Sequence, residues 1–515
     1  MTPRKKLPIG IQTFREIRVN NHYYVDKTAI ALELIQRGKY YFLSRPRRFG
    51  KSLFLDTLKE LFEGNEPLFQ GLAVHPQWDW SIQYPVLRFS FGSETFTHPQ
   101  GLIDALDTQL TQWEQHFSLS PRFKHAGGRF SDLILHLHQK TGKPVVILVD
   151  EYDKPILDAL HYPEVARQNR DTLRGFYGTI KDYDAHIRFA FLTGVSKFSK
   201  VSLFSGLNNL TDITLDERYS TICGYTDHDV DTVFAPELVG LDREHIREWY
   251  NGYNWLGQSV YNPYDVLQLF STRKFKNYWF ESGTPTFLVD LLLKRKITSL
   301  SLVHSLSSEE MLSKFDIDDI EVDALLFQTG YLTIKGIRQA GDRDFYVLTY
   351  PNKEIYQSLN EILLSALVKD RKAQSIQTLR LYDLLLANDF ERLRALFQSF
   401  FASIPHHWYT HNDIQNYEGY YASVFYSYFA SLGLTVIVED ATNLGRIDMT
   451  LKFNNQVYLF EFKVIENTEA GSALQQLKDR LYADKYRGLN QPIYLMGVEF
   501  SKVSRNVVGF EVEQV

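Results

Sequence analysis

Two acidic residues and a lysine near the C-terminus have the types and spacing for phosphodiester hydrolysis. Ile447, Met449, Leu451 and Phe453 alternate with Asp448, Thr450 and Lys452, which is the period of a β-strand. Asn454-Asn455 suits a two-residue turn, because asparagine tolerates positive φ. The return run alternates Tyr458, Phe460, Phe462 and Val464 with Val457, Leu459, Glu461 and Lys463. A two-residue turn makes Phe453 face Gln456, and the same register carried outward sets Asp448 across from Glu461. Both would share a face with Lys463, with the aromatic set on the other. Cross-strand Cβ atoms stand roughly 5 Å apart and like charges so placed repel, so a cation must compensate: Lys463, a metal ion, or both. In Mg²⁺-assisted hydrolysis, carboxylates such as Asp448 and Glu461 hold the ion, which polarises the phosphate and acidifies a bound water. A lysine such as Lys463 positions or activates that water. The plainer alternative is a solvated sheet face carrying an incidental ion pair.

A second constellation lies near the N-terminus. Arg45-Pro-Arg-Arg-Phe-Gly-Lys-Ser52 stands between a strand-like run and an amphipathic segment. Gly50, Lys51 and Ser52 satisfy the second half of a phosphate-binding loop, while Arg45 occupies the place of its first glycine. In such a loop backbone N–H groups and a helix N-terminus cradle phosphates, the lysine reaches the β/γ oxygens and the hydroxyl meets Mg²⁺. Val145-Val-Ile-Leu-Val149 runs into Asp150-Glu151, placing two carboxylates at the edge where open α/β sheets collect ligands. Asp150 could hold Mg²⁺ through water, and Glu151 could orient and deprotonate an attacking water. Thr193-Gly-Val-Ser-Lys197 ends another apolar run and is expected to reach the same edge, with Thr193 as a nucleotide contact. Polar strand ends in an ordinary α/β domain are the competing explanation.

The elements that must position these groups are legible as alternation. Lys39–Leu43, Pro85–Phe91, Pro144–Val149 and Ile187–Leu192 have the length of buried strands, with amphipathic segments such as Ser52–Phe62 between them. Strand and helix alternating this way imply a mostly parallel sheet covered by helices. From Asp216 to Ser375 helical periodicity prevails, with strand signals mainly at Gly330–Ile334 and Phe345–Leu348. The polar stretch Lys369–Ser375 marks a boundary. The expectation is three domains: 1–215 a P-loop ATPase-type α/β domain, 216–375 a mostly helical middle module with a winged-helix-like form as one option, and 376–515 a small α/β domain.

Composition bounds the function. The 515 residues are 44% hydrophobic and 23% charged, which gives ample apolar area for large cores and argues against disorder. A net charge of −6 excludes a wholly basic nucleic-acid coat protein, but not a local basic patch. The single cysteine, Cys223, can form neither an internal disulfide nor a zinc cluster, which fits a reducing, cytoplasmic setting. No stretch is long and apolar enough to span a bilayer, and MTPRKKLPIG lacks the apolar region of a secretory signal. His136-x-His138 and His406-His407 lack a third metal ligand at useful spacing. Packing accounts for the aromatic segments around Trp249 and Tyr278-Trp279 better than base stacking does. Arg45, Arg47 and Arg48 are candidates to meet phosphate or nucleic acid, and Arg188 and Lys197 to serve as transition-state cations.

Tyr24-Val-Asp-Lys-Thr28, Arg45–Ser52, Val149-Asp-Glu-Tyr-Asp-Lys-Pro155 and Thr193–Phe198 together resemble the AAA-ATPase-like family of bacterial proteins that carry a C-terminal nuclease-like domain. Ser205–Leu210, Trp249–Tyr253, Tyr261-Asn-Pro263 and Pro351-Asn-Lys-Glu354 extend the likeness through the middle. The resemblance implies that the loop lacking its first glycine is a Walker A element, with nucleotide contacts at Gly50, Lys51 and Ser52 and metal or water contacts at Asp150 and Glu151. Gly445-Arg-Ile-Asp448 followed by Glu461-Phe-Lys463 resembles the PD-(D/E)xK nuclease core, with Ile447 in place of the eponymous proline. That resemblance implies metal-binding roles for Asp448 and Glu461 and a catalytic one for Lys463. It also implies a helix-borne acidic residue at Glu418 and a functional glutamine at Gln476. The expected function is an ATP-binding, ATP-hydrolysing module coupled to a Mg²⁺-dependent nuclease, with DNA favoured over RNA and a homo-oligomer as one option. The rivals are a non-catalytic nucleotide switch with a structural nuclease-like domain, and a nuclease whose ATPase barely turns over.

Overall fold

The computed structural model describes residues 4–197, 209–283, 305–312, 321–367, 371–404, 417–466 and 468–515, with scattered positions from 288 to 302. The chain divides into two compact units, Met1–Phe287 with His304–Asn352 and Leu288–Val303 with Lys353–Val515.

In the first unit the apolar runs form β1 (Tyr40–Ser44), β2 (Val86–Ser90), β3 (Val145–Asp150), β4 (Ile187–Gly194) and β5 (Thr211–Asp212). All neighbours are parallel, in the order β2-β3-β4-β1-β5. Every residue of β1 and β3 is buried, which is why they read as unbroken apolar runs and not as alternation. Because β1, β4 and β3 run parallel, the loop after β1 and the carboxylates at the end of β3 open at the same edge of the sheet.

The middle region is helical over Asp227–Val233, Arg243–Tyr250 and Pro263–Thr272. It also carries an antiparallel sheet of β6 (Leu306–Ser308), β7 (Thr333–Ala340) and β8 (Arg343–Thr349), ordered β6-β8-β7. No boundary falls at 215/216, because Tyr23 and Val25 of the N-terminal segment share a core with Val230, Phe234 and Tyr261. The two compact units meet along the chain at 352/353, while the sequence expectation put a domain boundary at 375/376. The helix Lys353–Leu367 packs against Tyr417–Ser431, with Tyr356 edge-on to Tyr426 at 6.1 Å and its hydroxyl 3.4 Å from the Leu434 carbonyl.

The second unit is built on β9 (Thr435–Ala441), β10 (Arg446–Phe453), β11 (Gln456–Val464), β12 (Ile493–Ser501) and β13 (Asn506–Gln514). They are ordered β13-β12-β11-β10-β9, antiparallel except for β11 and β12. Asn454 and Asn455 take φ of +51° and +57°, as a tight hairpin turn requires. Met449, Leu451, Phe460 and Phe462 pack on one face against aromatic side chains of Phe390–Ser403 and Tyr417–Ser431. Val457, Leu459 and Leu495 face the other way, against Leu477 and Tyr482. Gly497 pairs with Glu461, and a Cβ there would lie 2.4 Å from the Leu474 amide nitrogen, so glycine lets the helix Ser472–Asp479 lie close on the sheet beside Glu461.

Candidate functional site

β1 delivers the loop 45–50, and the helix Lys51–Phe62 begins where the loop ends. Gly50 sits at φ +96°, a left-handed conformation that glycine adopts without strain. Lys51 is 7% exposed and donates to the carbonyls of Arg45 at 2.9 Å and Pro46 at 2.8 Å. Burial pulls its pKa down, with Asp150 and Glu151 opposing. A cavity of about 450 Å³ opens beside it, lined by Gly50, Lys51, Ser52, Arg47, Arg48 and Glu151, with Tyr24, Tyr225 and Tyr264 among the aromatic walls.

The carboxylates after β3 have different settings. Asp150 is 3% exposed; its Oδ2 lies 3.6 Å from Arg88 Nη2, and its buried Oδ1 has no hydrogen-bond partner among the described residues. A buried carboxylate oxygen with no donor fits a hard divalent cation such as Mg²⁺, and Ser52, next to Lys51 in the first turn of the helix, lines the same cavity as Glu151. Glu151 lines the cavity at φ +52°, and burial raises its pKa, with Asp150 and Asp153 adding and Lys51 opposing.

Two sequence expectations are corrected here. Thr193 is fully buried, donates its hydroxyl to the Leu43 carbonyl at 2.9 Å and does not line the cavity. It fastens β4 to β1. Arg45 does not reach out to phosphate either. It is 0% exposed, donates to the carbonyls of Ser44, Thr214 and Tyr219, and lies 4.1 Å from the Trp255 ring centroid. Burial lowers its pKa to about 10. Of the other cations considered, Lys197 pairs with Asp212 at 2.5 Å and Arg188 lies over the Tyr84 ring.

Sequence reasoning missed Asp153. It is 1% exposed, and its Oδ2 accepts from Val195 N at 3.0 Å, Ser196 N at 2.6 Å and Ser196 Oγ at 2.7 Å. It ties the segment after β4 to the segment after β3. The signal was a third acidic residue in Val149-Asp-Glu-Tyr-Asp153, whose period of three from Asp150 suits a turn and not a strand.

In the second unit the hairpin has the expected register, from Phe453↔Gln456 to Met449↔Phe460. The ladder stops one pair short of Asp448↔Glu461. Asp448 turns its carboxylate onto the backbone instead, where Oδ2 accepts from Phe462 N at 2.8 Å. Ile447 accordingly packs with Val457 and Leu459 and not with Met449, which breaks the expected alternation. Glu461 is 1% exposed, and its Oε1 accepts from Lys463 Nζ at 2.8 Å and from the Gln476 amide. Tyr482 joins the group: its pKa is raised by burial first, then by Glu461, while its hydrogen bond with Gln476 lowers it. Asp448, bonded to the residue between Glu461 and Lys463, is therefore brought to the same place as the other two. Glu418 lies in the helix Tyr417–Ser431, its side chain outside the described residues, as are His406 and His407.

Among the described residues no three His, Cys, Asp or Glu side chains form a metal cluster. Mg²⁺ is ordinarily held by one or two carboxylates and keeps several waters, so the donor pair Asp448 and Glu461 fits that ion without a third. No described helix is long and apolar enough to cross a membrane.

Residues 8–204 match the family described as predicted AAA-ATPase, and residues 416–510 match the PD-(D/E)XK nuclease superfamily. An uncharacterized protein in the vnfD 5'region of Azotobacter chroococcum mcd 1 is 60% identical over 513 residues, covering 99% of both chains. The chain belongs to the same family as that Azotobacter protein, with an AAA-ATPase-like domain followed by a domain of the PD-(D/E)XK nuclease superfamily.

Proposed function

We propose that this protein binds and hydrolyses ATP in its first unit and cleaves nucleic acid, DNA in preference to RNA, in its second. The observation that carries the nuclease half is the gathering of Lys463 and Gln476 on one buried Glu461 oxygen, with Asp448 bonded to the intervening Phe462 amide. Asp448 and Glu461 would hold Mg²⁺, which when bound supplies a Lewis acid for the phosphate and lowers the pKa of a coordinated water. Lys463 positions the attacking water and Gln476 fixes the Glu461 carboxylate. In the first unit Gly50, Lys51 and Ser52 receive the phosphates. Lys51 must leave the Arg45 and Pro46 carbonyls to do so, and Glu151, with its raised pKa, accepts the proton of the attacking water.

Nucleotide state is proposed to govern cleavage. The single cysteine supports a cytoplasmic setting, and a homo-oligomer is compatible with this scheme. Nicking of a supercoiled plasmid with Mg²⁺, with and without ATP, tests both halves together. Lys463→Ala should abolish nicking, and Lys51→Ala and Glu151→Gln should abolish ATP turnover. Nicking by Lys463→Ala at the wild-type rate would reject the nuclease assignment. A second reading is a nucleotide switch without cleavage, favoured by the anchoring of the loop to the middle region through Arg45. Nucleotide binding with neither turnover nor nicking would establish it.

A further inference from the structure

A second cavity, of about 630 Å³, lies in the C-terminal unit between the β9–β10 turn and the helix Ser472–Asp479 with the residues that follow it. Its wall is continuous with the Glu461 cluster. Gln476, whose amide donates to Glu461 Oε1, lines it, and so does Tyr482. Arg446 and Arg480 share that wall with a single acidic residue, Asp479, which is engaged by the Gln475 amide at 2.7 Å.

Both arginines are held in place by partners that a ligand can replace. Arg480 Nη1 donates to the Leu444 carbonyl at 3.1 Å, which uses one of its five donors. Arg446 Nη1 lies 3.2 Å from Glu439 Oε2 with the two side chains 71% and 66% exposed, and an ion pair so open to water and salt holds the guanidinium only weakly. Planar guanidinium forks match phosphate oxygens in pairs, whereas a lone carboxylate such as Asp479 repels them. Leu444, 42% exposed on the same wall, offers an apolar contact to a sugar or base.

We infer that this groove carries the strand to be cleaved, with Arg446 and Arg480 holding phosphates beside the scissile one, so that the nucleic-acid backbone runs from the β9–β10 turn past Gln476 to Glu461. The inference rests on the nuclease reading above and supplies the substrate track that reading lacks. Both arginines are binding and positioning residues; neither is asked to take part in bond cleavage.

The test is binding of a fluorescein-labelled oligonucleotide to the full chain without Mg²⁺, measured across a series of salt concentrations. Each phosphate contact contributes about one unit to the slope of log affinity against log salt. Arg446→Ala and Arg480→Ala should each flatten the slope by about 1, the double variant by about 2, while Arg→Lys at either site retains most of it. A wild-type slope in the double variant overturns the inference, as does wild-type binding that does not respond to salt. Nicking lost in Lys463→Ala together with an unchanged slope in the double variant leaves the nuclease standing without the groove. A flattened slope with no nicking by the wild type leaves the groove standing without the nuclease.

Discussion

Glu461 Oε1 accepts Lys463 Nζ at 2.8 Å within a single strand, and the carboxylate that receives this charge is 1% exposed. A buried carboxylate deprived of its cation is costly, on the order of 3 kcal/mol. Lys463→Ala should therefore lower the thermal midpoint as well as abolish nicking. Adding Glu461→Gln should recover most of the lost stability and none of the activity. Circular-dichroism melts of the two variants, beside plasmid nicking, measure both effects. A Lys463→Ala protein that melts with the wild type would mean that the pair contributes nothing to stability.

Mg²⁺ itself should act as a stabilising ligand. A species that binds only the folded chain raises stability by about 2.7 kcal/mol at a hundredfold excess over its dissociation constant. The melt of the wild type should shift upward with Mg²⁺ and return when EDTA is added. The double variant Asp448→Asn/Asp150→Asn, with one proposed site damaged in each unit, should lose the shift, and each single variant should lose part of it. An equal shift in all four proteins would place the ion elsewhere.

The hairpin that carries these residues was legible because its information is local. Alternation from Met449 to Phe453 and from Gln456 to Phe462, with two asparagines able to take positive φ, fixed the register through Met449↔Phe460. The same logic failed one residue further on. There Asp448 captures the Phe462 amide, a side-chain-to-backbone bond that alternation cannot encode. Arg45 and Thr193 escaped for the same reason, since both spend their donors on carbonyls brought near by the fold. The division of the compact units at 352/353 was hidden because the helix Lys353–Leu367 finds its partner, Tyr417–Ser431, about fifty residues further along the chain.

Arg45 and Arg47 stand two residues apart and should behave oppositely. Arg45→Ala removes a buried guanidinium and strands the Thr214 and Tyr219 carbonyls, at a cost of about 3 kcal/mol. Arg45→Lys should rescue little, because one ammonium cannot reproduce the fork. Arg47 is exposed and lines the 450 Å³ cavity, so Arg47→Ala should leave the melt unchanged while weakening binding of a fluorescent ATP analogue. Equal thermal losses for Arg45→Ala and Arg47→Ala would contradict this assignment.

Glu151 gives a pH dependence with a definite sign. Its folded pKa is raised above the usual carboxylate value, chiefly by burial, so the folded chain binds more protons than the unfolded one. Stability from this group is then present below the unfolded pKa and is lost as pH rises through the folded one. Glu151→Gln escapes that loss. The melting difference between Glu151→Gln and wild type should be smallest near pH 4 and grow in favour of the variant toward pH 8. Asp153, raised in the same direction, repels Glu151, so removing the Glu151 charge also relieves Asp153 and adds to the difference with the same sign. A difference that shrinks with rising pH would reverse the sign and remove the basis for Glu151 as the proton acceptor.

Gly497 offers the most remote control of the nuclease cluster. It lies across from Glu461 on the parallel neighbour β12, and a methyl group there would sit 2.4 Å from the Leu474 amide nitrogen. That atom is backbone, so Gly497→Ala cannot be relieved by a rotamer change; the helix Ser472–Asp479 must move off the sheet. Overpacking of this kind costs about 1–3 kcal/mol. The displaced helix carries Gln476 away from Glu461, so nicking should fall well beyond what the loss of stability explains, at temperatures where the variant is fully folded. Gly471→Ala, in open space just before the same helix but at φ +84°, is the control. It should strain the helix start and lower the melt while leaving Gln476 against Glu461 and nicking largely intact.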